Sequence, residues 1–178
     1  MENTSEQFQE AIRRCKKVYE NKLSDYGASW RILRPTSVTD QIFIKAARIR
    51  SLEKKGKARI DEGIETEFIG IVNYGVIGLI QLEAGKNTPL DLHHEEAIAR
   101  YDQHIEAVTN LMWAKNHDYD EAWRHMRVST YTDIILMKLC RIKQIEDNGG
   151  QTLYSEGIDA NYADIINYAL FALIQLER

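Results

Sequence analysis

The sequence predicts an all-α protein: six helices as two tandem three-helix repeats, packed into one bundle with a pseudo-two-fold axis. Two observations carry this. Apolar residues recur at helical spacing and almost nowhere in strand-like alternation. The chain also repeats itself, since "DYGASWRILRPTSVTDQI" (25–42) shares Asp, Tyr, Trp, Arg, Arg, Thr, Asp and Ile with "DYDEAWRHMRVSTYTDII" (118–135), 93 positions later. A one-residue shift then brings 62–83 onto 156–177, sharing "EGI", "NY" and "LIQLE". It falls beside "KKGKAR" and "NGGQTLY", where an insertion in a surface loop costs little.

The first helix of each repeat is amphipathic. Phe8, Ile12, Cys15, Val18 and Tyr19 form one stripe, and Ile98, Tyr101, Ile105, Val108 and Met112 form its counterpart. Thr39 or Asp40, and Thr132 or Asp133, offer N-caps for second helices that stop at Gly56 and Gly149. Glu62 and Glu156 open third helices that run through "LIQLE". "AGKNTPLDLHHEE" breaks the chain, giving repeats of 1–86 and 87–178. Three helices alone bury only a modest core, so the halves are expected to pack on each other as one compact unit. Gly75 with Gly78, and Ala169 with Ala172, would let helices approach closely or simply fit a tight core.

Composition narrows the function. A net charge of -4 and a pI near 5.8 disfavour duplex nucleic acid as a partner. Cys15 and Cys140 lie in helical patterns without metal-ligand spacing and read as buried thiols. The polar amino terminus lacks a signal-like apolar segment, and no run looks apolar enough to span a bilayer. A cytoplasmic protein with no membrane partner is therefore expected, and a homodimer is compatible with the helical faces.

Lys45 and Lys138 each stand on the apolar stripe of a second helix, with Arg48 and Arg141 one turn on. A buried ammonium needs a carboxylate, a phosphate or an opening to water, so an internal ion pair and an anion site are both open. On the third helix, an ideal ~100° step puts Glu156, Asp159, Asp164 and Asn167 within roughly 140°. Oxygen ligands of this kind suit Mg²⁺. The first copy keeps Glu62, Glu65 and Asn73 but has Gly70 in place of Asp164, so the second copy is the better equipped. Acids at a helix start also simply favour its dipole, which leaves Asp164 as the one needing another explanation. Trp30 with Arg34, and Trp123 with Arg127, can be read as base platform and phosphate ligand, or as a plug closing the bundle end. The five histidines show no ligand spacing, and no phosphate-binding glycine loop or nucleophile motif is present.

"DYGASW…LR…TD…K…RI…LE" and "EGI…D(I)…NY…LIQLE" resemble the nucleotide modification associated domain 1 family, all-helical and linked to nucleotide metabolism in phage or bacteria. The second copy matches best, through Asp118, Tyr119, Trp123, Asp164, Asn167 and Tyr168. More distantly the layout is similar to MazG-like NTP pyrophosphohydrolases, which use ExxE and ExxD to hold Mg²⁺ and release pyrophosphate. Here KxxR replaces the ExxE, and ExxD remains only as Glu156 with Asp159. The acid arc facing the repeated Lys/Arg pair, taken with this resemblance, leads to the expectation of a nucleotide-related protein, with Mg²⁺-dependent release of pyrophosphate from an NTP as its activity. Glu156 and Asp164 would be catalytic, and Glu156, Asp159 and Asp164 would hold the metal. Trp30, Arg34, Lys45, Arg48, Asn73, Trp123, Arg127, Lys138, Arg141 and Asn167 would bind nucleotide. The alternative is a non-catalytic helical module that binds a nucleotide or a protein.

Overall fold

The computed structural model describes residues 3–56, 63–85, 89–153 and 155–177. They form six α-helices: α1 (Thr4–Tyr26), α2 (Pro35–Lys55), α3 (Ile64–Ala84), α4 (His94–Tyr119), α5 (Val128–Asp147) and α6 (Ile158–Leu176). No strand occurs among the described residues. Glu62 and the boundary at 86 and 87 lie outside them.

The helix starts differ from expectation. Helix α2 begins at Pro35 and α5 at Val128, with Arg34 and Arg127 as extended N-cap residues. Proline at the first helical position needs no amide partner and has its φ preset, so it nucleates the helix a turn before Thr39. Thr39 and Thr132 then lie inside the helices, fully buried. Helices α3 and α6 begin at Ile64 and Ile158 after Gly63 and Gly157, so Glu156 precedes its helix. Gly56 ends α2 in the left-handed conformation, as its place in the sequence predicts.

Three layers of two helices result. Helices α3 and α6 pack on each other in the middle, α2 and α5 cover one side, and α1 and α4 lie on the other. A helix covered on both sides must be apolar nearly all round. Helix α3 is accordingly long and apolar enough to cross a membrane by length and composition, with a mean hydropathy of 1.2, yet 72% of that window is buried within the protein. The expectation that no segment is this apolar is thus corrected, for a packing reason. The central helices meet closely: a Cβ on Gly75 would lie 2.6 Å from Ile166 Cγ1, and one on Gly78 2.8 Å from Tyr162.

Matched contacts across the α2–α5 seam express the pseudo-two-fold axis. Thr39 donates to Glu146 (2.9 Å) and Thr132 to Glu53 (3.2 Å). Lys143 pairs with Asp40 at 3.4 Å and Arg50 with Asp133 at 3.9 Å. Burial raises the carboxyls of both Glu146 and Glu53, against the threonine hydrogen bonds that lower them. Of the thiols, Cys15 is buried, but Cys140 is exposed on the outer face of α5.

Candidate functional site

The Trp–Arg loops are built first. Each folds into a short 3-10 turn, Ser29–Ile32 and Ala122–His125. The glutamine of "LIQLE" clamps it: Gln81 donates to the carbonyls of Arg31 (3.0 Å) and Leu33 (2.6 Å), and Gln175 to that of Arg124 (2.9 Å). Arg31 is buried and returns a hydrogen bond to Gln81 (2.6 Å). Trp123 is buried, stacked on Phe171 at 4.5 Å and 7°, with the Arg124 guanidinium 4.4 Å from its ring. Packed against those two groups, the ring helps close the bundle end and also borders the cavity of its repeat. Trp30 is half-buried against the core, 6.5 Å from Tyr19. Arg34 and Arg127 are exposed N-cap residues outside the cavities described next. The loop is therefore mainly a structural clamp.

Two cavities lie at equivalent positions, one in each repeat. The second, of about 360 Å³, is lined by Lys115, Tyr119, Lys138, Asp164, Asn167 and Tyr168 among others. The first, of about 630 Å³, is lined at the matching positions by Lys22, Tyr26, Lys45, Gly70, Asn73 and Tyr74. Both thus take a lysine from the first helix, one from the second, and Asn-Tyr from the third.

In the second cavity Asp164 is clasped from two sides. Lys138 donates to its Oδ2 at 2.8 Å and Lys115 to its Oδ1 at 2.9 Å. Burial alone would raise this carboxyl, but the two ammonium groups outweigh it and hold Asp164 below the usual carboxylate range. Burial likewise pulls the Lys115 ammonium down, and Asp164 more than restores it, so that its pKa ends above the ordinary value. Three residues of the lining each carry a buried polar atom with no hydrogen-bond partner among the described residues: Trp123 Nε1, Asn116 Nδ2 and Asn167 Oδ1. The last has a clear origin. Asn73 and Asn167 both donate to a carbonyl of the first helix, Cys15 at 3.0 Å and Val108 at 3.1 Å. Tyr101 then donates to Asn73 Oδ1 at 2.7 Å, whereas the residue matching Tyr101 in the other repeat is Phe8, which has no hydroxyl.

In the first cavity the acid has moved one turn. Gly70 stands where Asp164 does, and the buried Glu67 pairs with Arg48 at 2.8 Å and more loosely with Lys45 at 3.9 Å. Lys45 lies across Gly70, where a Cβ would meet its Cδ at 2.8 Å, and its ammonium is 5.6 Å from the Tyr74 ring. Arg141, matching Arg48, is exposed and contacts Met137 Sδ at 3.8 Å.

The residues expected to hold Mg²⁺ do not come together. Glu156 is exposed ahead of α6, near enough to add to the field at Lys115. Asp159 is exposed and lines another cleft, beside His104 and Glu83. Asp164 directs both oxygens at lysines. Among the described residues no group of three His, Cys, Asp or Glu could hold a metal ion. The helical arc assumed from Glu156 onward fails because the helix starts only at Ile158. This donor set does not fit a divalent cation.

Sequence reasoning missed Lys22, Tyr26, Lys115, Asn116 and Tyr119. Four of these carry a signal: Lys22 with Lys115, and Tyr26 with Tyr119, recur at the 93-residue offset that marks the rest of the repeat. Asn116 has no such signal, since Leu23 is its counterpart.

Fold and cavities together define an internally duplicated helical protein with one polar-lined cavity in each copy. The profile of the nucleotide modification associated domain 1 family matches residues 22–82 and 115–176. The chain belongs to that family, as two copies of its domain. No curated protein and no solved structure matches it.

Proposed function

We propose that the chain binds a nucleotide, with the base in the second cavity and the phosphates toward Lys115 at its mouth. The observation that supports this is the makeup of that lining, where polar groups of Lys115, Asn116, Lys138 and Asp164 stand among aromatic and apolar side chains. A nucleotide offers a flat base for such walls and hydrogen-bonding edges for the few polar groups. Met112, Met126 and Phe171 supply apolar walls, and about 360 Å³ lies in the range of small-molecule sites. The family's description points to nucleotides as the ligand class.

Binding is favoured over metal-dependent release of pyrophosphate, because the acids that would carry that reaction are dispersed or tied to lysines. The test is calorimetry and thermal melting with nucleosides and nucleotides, in EDTA and again in Mg²⁺. Binding in EDTA is expected, and Asn116→Ala should weaken it about 3- to 10-fold, the value of one hydrogen bond. No binding by any common nucleoside or nucleotide in either buffer would refute the proposal. Pyrophosphate release from an NTP in Mg²⁺ would instead support the hydrolase.

A further inference from the structure

We propose that the first repeat carries a separate site, in which Lys22 and Lys45 bind the phosphate group of a small molecule. The protein supplies its own comparison. In the second repeat the ammonium groups of Lys115 and Lys138 hold the two oxygens of one carboxylate at 2.9 and 2.8 Å. Two lysines at this spacing therefore accommodate an oxyanion. In the first repeat the equivalent lysines line the matching cavity, Gly70 contributes no carboxylate between them, and the flexible Lys45 stem lies over the glycine.

The one acid lining this cavity among the described residues, Glu67, is turned mainly to another cation. Glu67 sits one turn earlier and its close partner is Arg48 at 2.8 Å, leaving Lys45 at 3.9 Å. Lys22 is exposed and forms no ion pair with the described residues. Lys45, only 24% exposed, instead lays its stem over Gly70. With its nearest carboxylate at 3.9 Å this ammonium is only loosely paired, and an incoming anion would complete the pairing. The larger cavity, about 630 Å³, has room for more than the anion, and Trp30 and Tyr74 line it. The second repeat thus carries an anion as part of its sequence, while the first takes one from solution.

This site is distinct from the nucleotide cavity of the second repeat and stands or falls separately. The experiment is calorimetric titration of the full chain with inorganic phosphate and with phenyl phosphate, at fixed ionic strength held by NaCl. Saturable binding of one anion per chain is expected. Gly70→Asp, which installs the second repeat's carboxylate, should weaken it at least tenfold. The only obstacle to its Cβ is the flexible Lys45 stem, but should this variant not fold, the exposed Lys22→Ala carries the test and should weaken binding several-fold. Lys17→Ala, an exposed charge outside the cavity, should leave it unchanged. Phenyl phosphate binding more tightly than phosphate would assign a phosphorylated aromatic compound, and equal affinities would assign free phosphate. Absence of saturable binding to the wild type, or binding that survives both Gly70→Asp and Lys22→Ala, would overturn the proposal.

Discussion

Replacing Asp164 by Asn tests the electrostatics of the second cavity most directly. Shape is kept, but the charge between two lysines is lost. Removing one partner of a fully buried ion pair costs about 3–5 kcal/mol, whereas an exposed pair is worth about 0–1 kcal/mol. The Lys138 side chain is 14% exposed and Asp164 11%, so that pair belongs near the buried limit. Lys115 is 48% exposed and counts near the surface limit. Asparagine still accepts one hydrogen bond, so the expected loss is about 2–4 kcal/mol. For a chain of this size that lowers Tm by roughly 5–15 °C. The assay is urea unfolding at several pH values, reading the midpoint at constant slope. The pH dependence follows from the direction of the shift. A carboxyl whose pKa is lower in the folded than in the unfolded chain stabilises above the unfolded value, near 3.8, and ceases to do so as pH falls through the folded value. The gap between wild type and variant should thus be full at pH 6–7 and close below about pH 4. A variant as stable as wild type at pH 7, or a gap undiminished in acid, would refute the reasoning.

The seam between repeats predicts the opposite sign. Burial raises the Glu146 carboxyl, so the folded state holds its proton more tightly than the unfolded chain, and stability falls as pH rises through that window. Glu146→Gln should therefore be more stable than wild type at pH 7, with the difference shrinking as the carboxyl takes up its proton in acid; thermal melting across pH checks this. The thiols should separate cleanly. Burial pushes Cys15 up to about 12, while Cys140 is exposed, so a thiol reagent should label one of the two in the native protein and both in denaturant.

The fold was largely legible because its signals were redundant. Apolar stripes placed all six helices, and the 93-residue offset paired them into copies. Helix starts were harder, since Thr39 and Thr132 have the chemistry of caps but are used inside the helix, one bonding Glu146 and the other Glu53 across the seam. That choice depends on a partner 107 residues away in sequence for Thr39, which local pattern cannot supply. In the site, Lys45 and Lys138 stand out in the sequence because a charged group on an apolar helix face is conspicuous, and both line the cavities, as do Asn73, Asp164 and Asn167. Asp159 and Glu156 were not separable from Asp164 without knowing where α6 begins. Trp123 and Arg127 share a loop yet point to different surroundings, and only the clamp by Gln175 decides which is enclosed.

The central position of α3 and α6 makes the two copies interdependent. Cut apart, each would expose one flank of an apolar third helix to water. Within that shared core the two cavities still differ in charge, with aspartate at 164 in one and glycine at 70 in the other.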